Sequence, residues 1–188
     1  MECTPRFIRR FTFDTGMSMK GISVTSAVIT ISGSTDEAVA GTMVEEKIPL
    51  NLDILNREVL LVYAVDINVS SPDALAGVDT LVTASMSTTS RTTVGSIAET
   101  NVLAMAQKSI RAGGLVDGGV GFQENSPETP TASNLPYIGI VSTSDFFVQI
   151  SGVNNGNAKG SDWRMWCARA RVTADIYAAL VQSEALSA

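Results

Sequence analysis

The stretch WRMWCARARVTADIYAALVQ, residues 163–182, decides the fold of this chain. At alternate positions one side is apolar, whereas the other side carries Arg169, Arg171 and Asp175. Side chains of a β-strand point alternately to opposite faces of a sheet. The alternation therefore favours one unusually long strand, whose buried face is formed by Trp166, Ala168, Ala170, Val172, Ala174, Ile176, Ala178 and Leu180.

A second interpretation divides this stretch near Thr173. The strand would end there and a short helix capped at Thr173 would follow, because alanine and leucine favour helices. The preceding segment 145–150 shows the same alternation, and Asn155–Gly156 supplies a strong turn signal. We favour the first interpretation, a β-hairpin over residues 145–182 with an irregular loop.

The composition is typical of a β-rich protein with one core. The chain has 188 residues, of which 45% are hydrophobic and 17% charged. This length fits a single domain, residues 1–188. The net charge of −6 argues against a general nucleic-acid binder, because phosphate contacts need clustered lysine and arginine.

The residue types needed for catalysis are few. The absence of histidine removes Ser-His-Asp and Cys-His chemistry and most zinc sites. The acidic pairs Asp36–Glu37 and Glu45–Glu46 are interpreted as solvated charges, because neighbours in a strand point apart. The asparagine-rich loop 154–162 offers oxygen ligands for calcium, but turn chemistry accounts for it better. We therefore expect a chain that is not an enzyme and has no cofactor, no metal site and no small-molecule substrate.

The two cysteines, Cys3 and Cys167, lie at opposite ends of the chain and show no metal-binding spacing. Two free thiols are the favoured interpretation, and one disulfide between the N-terminal arm and the last strand is the alternative.

The N-terminal residues 1–15 are interpreted as an extended arm. Arg6, Arg9 and Arg10 can contact nucleic acid or anionic lipid, although pairing with an acidic protein surface is an equal alternative. The arginines precede no long apolar segment, so no secretory signal is expected. The longest apolar run, residues 59–65, is too short to span a bilayer. We expect a soluble protein made in a cytoplasm.

Further strands are predicted from β-branched and alternating residues, over residues 6–13 (or an arm), 22–31, 39–50, 57–69, 80–93 and 137–141. Ser96 and Glu99 have the spacing of a capping box, which predicts a helix that ends before Gly113. Residues 113–136 are rich in glycine and proline and are predicted to form a long loop. Seven or eight strands with at most one helix predict an all-β fold, a jelly-roll sandwich or barrel.

The strand at residues 57–69 is apolar on both faces at its centre. Leu60, Val62 and Ala64 are predicted to form a patch on its outer face, covered by the long loop or by another subunit. Trp163 and Trp166 fall on opposite faces of the last strand, and Trp163 is assigned to an interface or a sugar platform. Leu60, Val62, Ala64 and Trp163 are therefore the predicted interface residues.

The segments 136–141 and 143–153, the Asn-Gly loop and the stretch 163–177 together resemble the end of single jelly-roll major capsid proteins. The viruses concerned are tailless and icosahedral, including those with an internal membrane. The resemblance covers about a quarter of the chain and rests on the rhythm of the strands rather than on an invariant motif.

This resemblance implies a structural virion protein without catalytic activity, which self-assembles into a shell in the host cytoplasm. It also implies homo-oligomers, further capsid proteins as partners, and contact of the arm with an internal membrane or the genome. The chain lacks the basic arm of capsids that package nucleic acid directly and departs from them in this respect, which fits a shell that a lipid layer separates from its genome. The alternatives are a carbohydrate-binding or fibre and decoration module and, less favoured, an enzyme of carboxylate or metal type.

Overall fold

The structure, a computed structural model, describes residues 20–113, the backbone of residues 122–127, and residues 136–186. The predicted N-terminal arm, the predicted strand at 6–13 and most of the predicted loop lie outside the described residues. The loop prediction is wrong for Phe122–Pro127, which form a strand. The strands are β1 (Ile22–Val24), β2 (Ile29–Asp36), β3 (Val44–Pro49), β4 (Glu58–Val69), β5 (Thr80–Ser87), β6 (Val102–Arg111), β7 (Phe122–Pro127), β8 (Gly139–Val141), β9 (Asp145–Val153) and β10 (Gly160–Val172). They are followed by the helix α1 (Ala174–Leu186).

The strands form two antiparallel sheets, which confirms the predicted all-β sandwich. The β10 sheet has the order β1-β10-β4-β8, with β2 also paired to β10. The β9 sheet has the order β3-β9-β5-β6-β7. The pairs β2·β10, β3·β9, β4·β8 and β5·β6 are nested in sequence and alternate between the two sheets. This nested pairing is the winding of a jelly roll.

The core lies between the two sheets. Its largest fully buried side chains include Phe146, Met86, Ile150 and Met165, contributed by both sheets. Alternate residues of each strand point inward, as strand geometry requires. Burial of these side chains stabilises the sandwich by about 25 cal/mol for each Å² of apolar surface removed from water.

A β-bulge in β4 changes the face on which its side chains lie. Trp166 of β10 pairs with Ala64 and the next residue, Cys167, pairs with Val62, so that Tyr63 is the extra residue. One extra residue shifts the alternation of a strand by one position. The inward face of β4 is therefore even-numbered before Tyr63 and odd-numbered after it.

The predicted outward patch of Leu60, Val62 and Ala64 is corrected for Leu60 and Val62, whereas half-buried Ala64 lies past the bulge and pairs with Trp166 on the outer face. Leu60 and Val62 are 1% and 0% exposed and belong to the core between the sheets. Beyond the bulge, Val65 and Ile67 take over the inward face. The facing sheet covers Leu60 and Val62, so neither the long loop nor a subunit is needed to bury them.

The strand predicted over residues 163–182 is wrong beyond Val172, and the alternative with a helix is correct. The amide of Tyr177 donates to the carbonyl oxygen of Thr173, 3.0 Å away, at the start of α1. Gly21, at a φ of +85°, lies against this turn, where a Cβ atom would approach the Cδ1 atom of Ile176 to 2.6 Å. A glycine is therefore required where the chain enters β1 beneath the helix.

The helix predicted after Ser96 is also wrong, because residues 102–111 form β6. A capped turn does form there: the Ser96 amide donates to the Glu99 carboxylate over 2.7 Å, as in a capping box. The Ser96 hydroxyl accepts from the Ala98 amide over 3.3 Å, and the Glu99 amide donates to the Ser96 carbonyl oxygen over 3.0 Å. The capped turn ends at Asn101, and pairing with β5 then keeps the chain extended. The single strand predicted at 22–31 is interrupted, since the amides of Thr25 and Ser26 share the carbonyl oxygen of Arg169.

Candidate functional site

Trp163 lies inside the sandwich and not on an open surface. It is 4% exposed, and its indole N–H donates to the Thr35 hydroxyl oxygen over 3.2 Å. The ring of Phe146 meets it edge-on, with 5.7 Å between centroids. Gly33 makes room for the indole, because a Cβ atom there would lie 2.6 Å from the ring. Trp163 therefore cannot serve as a sugar platform or as a subunit contact in this fold.

The outer face of the β10 sheet has an open polar groove of about 520 Å³, lined by Ser32, Gly33, Ser34, Asp66, Asn68, Asp162, Trp163 and Arg164. Arg164 also lies over the half-buried ring of Trp166, 5.9 Å from its centroid. This groove combines carboxylate, amide and hydroxyl groups beside an aromatic ring. Sequence reasoning missed it because its residues come from three strands whose register is not visible in the sequence.

Another part of that outer face is covered by α1. Ile176, Tyr177 and Leu180 pack on a cluster that includes Val59 and Leu61. Val59 and Leu61 are the apolar residues on the outer face of β4, and α1 of the same chain shields them from water.

A cavity of about 300 Å³ lies between α1, β8 and the start of β6. Glu184 lines it and accepts hydrogen bonds from the Ser142 hydroxyl (2.6 Å) and the Ser142 amide (3.2 Å). Burial raises the pKa of the Glu184 carboxyl above its ordinary value, and the two Ser142 hydrogen bonds oppose that rise. The carboxyl thus fastens the last turn of the helix to the sheet.

One end of the sandwich is held by a buried polar cluster. Glu37 accepts hydrogen bonds from the amides of Gly152 (2.6 Å) and Lys159 (2.9 Å). The Lys159 ammonium pairs with Asp73, whose carboxylate also accepts from the Gly156 amide over 2.9 Å. Bonding to Lys159 holds the pKa of Asp73 below its ordinary value. These groups join the loops after β2, β4 and β9.

The interpretation of both acidic pairs as solvated charge is therefore wrong for Glu37 and for both members of the second pair, since half-buried Glu46 accepts from the Thr35 hydroxyl over 2.7 Å. Glu37 is buried in the cluster above, and half-buried Glu45 accepts from the Ser90 hydroxyl and the Arg91 amide, each over 2.6 Å. Glu45 also accepts from the fully buried Gln149 over 3.0 Å. Glu37 satisfies two buried amides and Glu45 satisfies the buried Gln149 side chain. Through these and their other hydrogen bonds, both carboxylates hold loops against the sheets.

The asparagine-rich loop shows the expected turn chemistry. Asn154 adopts a positive φ of 58°, and the Asn155 amide group donates to the Leu81 carbonyl oxygen over 2.8 Å. Among residues 20–113 and 136–186, no three cysteine, aspartate or glutamate side chains are grouped so that they could hold a metal ion.

Cys167 is the one thiol within the described ranges, and it is fully buried. Burial raises its pKa to about 11, against a smaller opposing effect of Arg169. A thiol with such a pKa is a poor nucleophile at neutral pH. Cys3, Arg6, Arg9 and Arg10 lie outside the described residues, so the disulfide alternative and the contacts of the arm stay predictions.

Among the described residues, no helix combines the length and the apolar character needed to cross a membrane.

Comparison with known proteins found no matching family model and no matching curated protein. Two similar solved structures come from viruses. One, Desmodium yellow mottle tymovirus, shows 12% identity over 79% of this chain and 90% of that one, with a TM-score of 0.28. The other, the infectious bursal disease virus Gt strain, shows 5% identity over 82% of this chain, with a TM-score of 0.23. This chain covers 32% of that second chain. Such low TM-scores carry no argument, and the fold assignment rests on the strand pairing itself.

Proposed function

We propose that this chain is a structural virion protein, a subunit that self-assembles into the shell of an icosahedral virus. The observation that carries the proposal is the nested pairing of β2·β10, β3·β9, β4·β8 and β5·β6. Jelly rolls wound in this way recur in viral capsid domains, and also in lectins and cupins. Proteins of one fold can have different functions, so the function has to be inferred from the side chains.

The side chains favour a structural role over catalysis. The best-placed carboxylates, Glu37, Glu45 and Glu184, each accept hydrogen bonds that fix a loop or the terminal helix to a sheet. Cys167 is buried with a raised pKa. A general base or nucleophile needs access to its substrate, and these four groups face the protein instead. We therefore propose that this protein is not an enzyme.

The expectations about partners are part of the same proposal. The subunits would contact further copies of the chain and other capsid proteins, and the arm with Arg6, Arg9 and Arg10 would face an internal membrane or the genome. The location would be the virion, after assembly in the host cytoplasm.

Negative-stain electron microscopy of the purified protein, and of particles from its source, tests the proposal. Closed shells that contain the chain are the expected result. A monodisperse monomer that is absent from every particle would refute it.

The second candidate is a carbohydrate-binding module, which the polar groove on the β10 sheet favours. Asp162 and Asn68 offer the carboxylate and amide groups that bind sugar hydroxyls, and Arg164 of the same groove lies over the ring of Trp166. A glycan array decides between the two candidates. Specific binding that disappears in Asp162→Ala would favour this function, with Thr92→Ala, in the loop between β5 and β6, as the control.

A further inference from the structure

The strand β2 forms an open edge of the β10 sheet. It pairs with β10 on one side, and within the described ranges no strand pairs with its other side. Six of its eight residues are exposed. The free side of an edge strand presents unpaired N–H and C=O groups, which can pair with a strand from another chain.

The other edges carry features that discourage such pairing. On the β9 sheet, the edge strand β3 contains Glu45, Glu46, Lys47 and Pro49. The edge strand β7 has the sequence FQENSP, with a charge and a terminal proline. The edge strand β8 is only three residues long. Charge, proline and shortness are the usual protections of an edge.

The β2 edge carries none of these protections before its last residue, Asp36. From Gly21 to Thr35 the sequence contains no lysine, arginine, aspartate, glutamate or proline. Large apolar side chains are also open there, since Val24, Val28 and Ile29 are 47%, 60% and 41% exposed. A long, uncharged and partly apolar edge in a soluble protein indicates a contact surface.

The charge balance indicates which partner fits this edge. Two chains of net charge −6 repel each other, so they associate most readily through a surface without carboxylates. The uncharged edge provides such a surface. A basic segment such as the chain's own residues 6–13 gains nothing there, because the edge itself offers no acidic group before Asp36.

We propose that the β2 edges of two copies of this chain pair about a two-fold axis. A two-fold axis brings identical strands together antiparallel, so that the same residues contribute from both sides. The two β10 sheets then form one continuous sheet across the subunit boundary. This proposal rests on the proposed self-assembly and identifies one contact within it.

The test places charge on the edge without touching the core. Ser32 and Ser34 are exposed and pair in register with Arg164 and Asp162 on the outer face. The double variants Ser32→Lys/Ser34→Lys and Ser32→Glu/Ser34→Glu are examined by sedimentation velocity and by amide hydrogen exchange of β2. We expect each variant alone to lose the two-fold contact and the concentration-dependent protection of β2 amides. Mixing the two variants should restore both, because opposite charges then face each other.

The control is Thr92→Lys/Thr93→Lys, which adds the same charge to exposed residues near the opposite sheet and should leave the contact intact. Shells or dimers that form normally from Ser32→Lys/Ser34→Lys would overturn the edge pairing while leaving the proposed function in place. A second outcome would also overturn the edge pairing. If the β2 amides are protected independently of protein concentration, and deletion of residues 1–15 removes that protection, the arm covers the edge. A native chain that stays monomeric at every concentration would refute both proposals.

Discussion

The indole N–H of Trp163 and the hydroxyl of Thr35 form a hydrogen bond of 3.2 Å between β10 and β2. The same hydroxyl donates to Glu46 on β3, over 2.7 Å. One chain of polar groups thus links the two sheets beside the core. Trp163 contributes to the stability of the sandwich, in the place where sequence reasoning expected an interface.

Replacement of Trp163 should therefore destabilise the isolated subunit. Trp163→Ala is expected to lower the free energy of unfolding by about 3–5 kcal/mol, the usual cost of removing a buried aromatic side chain. Trp163→Phe should cost less, because a ring still meets Phe146, although the N–H donor is lost. Urea titration followed by circular dichroism measures both. The half-buried Trp166→Phe is the control, and equal losses for Trp166→Phe and Trp163→Phe would contradict the assignment.

Val62→Lys should unfold the domain and not merely block its assembly. Val62 is fully buried between the sheets, where a lysine would have no partner and its charge would be costly to bury. Circular dichroism and light scattering on the same sample separate loss of fold from loss of assembly. Thr42→Lys, at an exposed position, should remain folded. A folded, monomeric Val62→Lys would mean that β4 faces a neighbouring subunit after all.

The attachment of α1 should weaken as the pH rises. Burial raises the pKa of Glu184 above its ordinary 4.5, so the protonated carboxyl is favoured when the helix is docked. The contribution of this group is fully present below pH 4.5 and is lost as the pH rises through the raised pKa. Glu184→Gln should flatten this dependence. Amide hydrogen exchange of residues 174–186 between pH 4 and pH 7 measures it.

Asp175→Asn provides the matched control, since Asp175 is exposed in the first turn of the same helix. That variant should keep the pH dependence of helix docking. A dependence that survives in Glu184→Gln would show that another group is responsible.

Cys167 should react with thiol reagents only when the chain unfolds. The Cys167 thiol is fully buried and its pKa is raised to about 11. The experiment uses a Cys3→Ser variant, so that Cys167 is the thiol that is labelled. We expect negligible labelling of the native protein at pH 8 and rapid labelling in urea, followed by absorbance with a disulfide reagent. Fast labelling of the native protein, at the rate of the denatured chain, would place Cys167 at a surface.

The alternating apolar pattern was sufficient to predict the strands with one buried face. Phe146, Val148 and Ile150 of β9 point into the core as their spacing predicts. The C-terminal segment was ambiguous because Ile176 and Leu180 fit both an alternating strand and a helix with a repeat of four. The contact of Gly21 with the first helical turn resolves that ambiguity, and it joins residues too distant in sequence to be inferred.

The candidate site was less predictable, because two of its determinants have no sequence signal. The bulge at Tyr63 reverses the faces of β4, and nothing in the residues around it marks the extra position. The role of Glu37 depends on amides more than one hundred positions away. A capped turn did form at Ser96, but cross-strand pairing of the following residues overrode the helix that was predicted there.

The measurement that tests the central claim most directly is sedimentation velocity of the purified full-length chain over a wide concentration range. The account predicts dimers at twice the 19.8 kDa of one chain, followed by closed particles of a single large size as the concentration rises. A single species at 19.8 kDa across the whole range, under conditions that favour association, would contradict it.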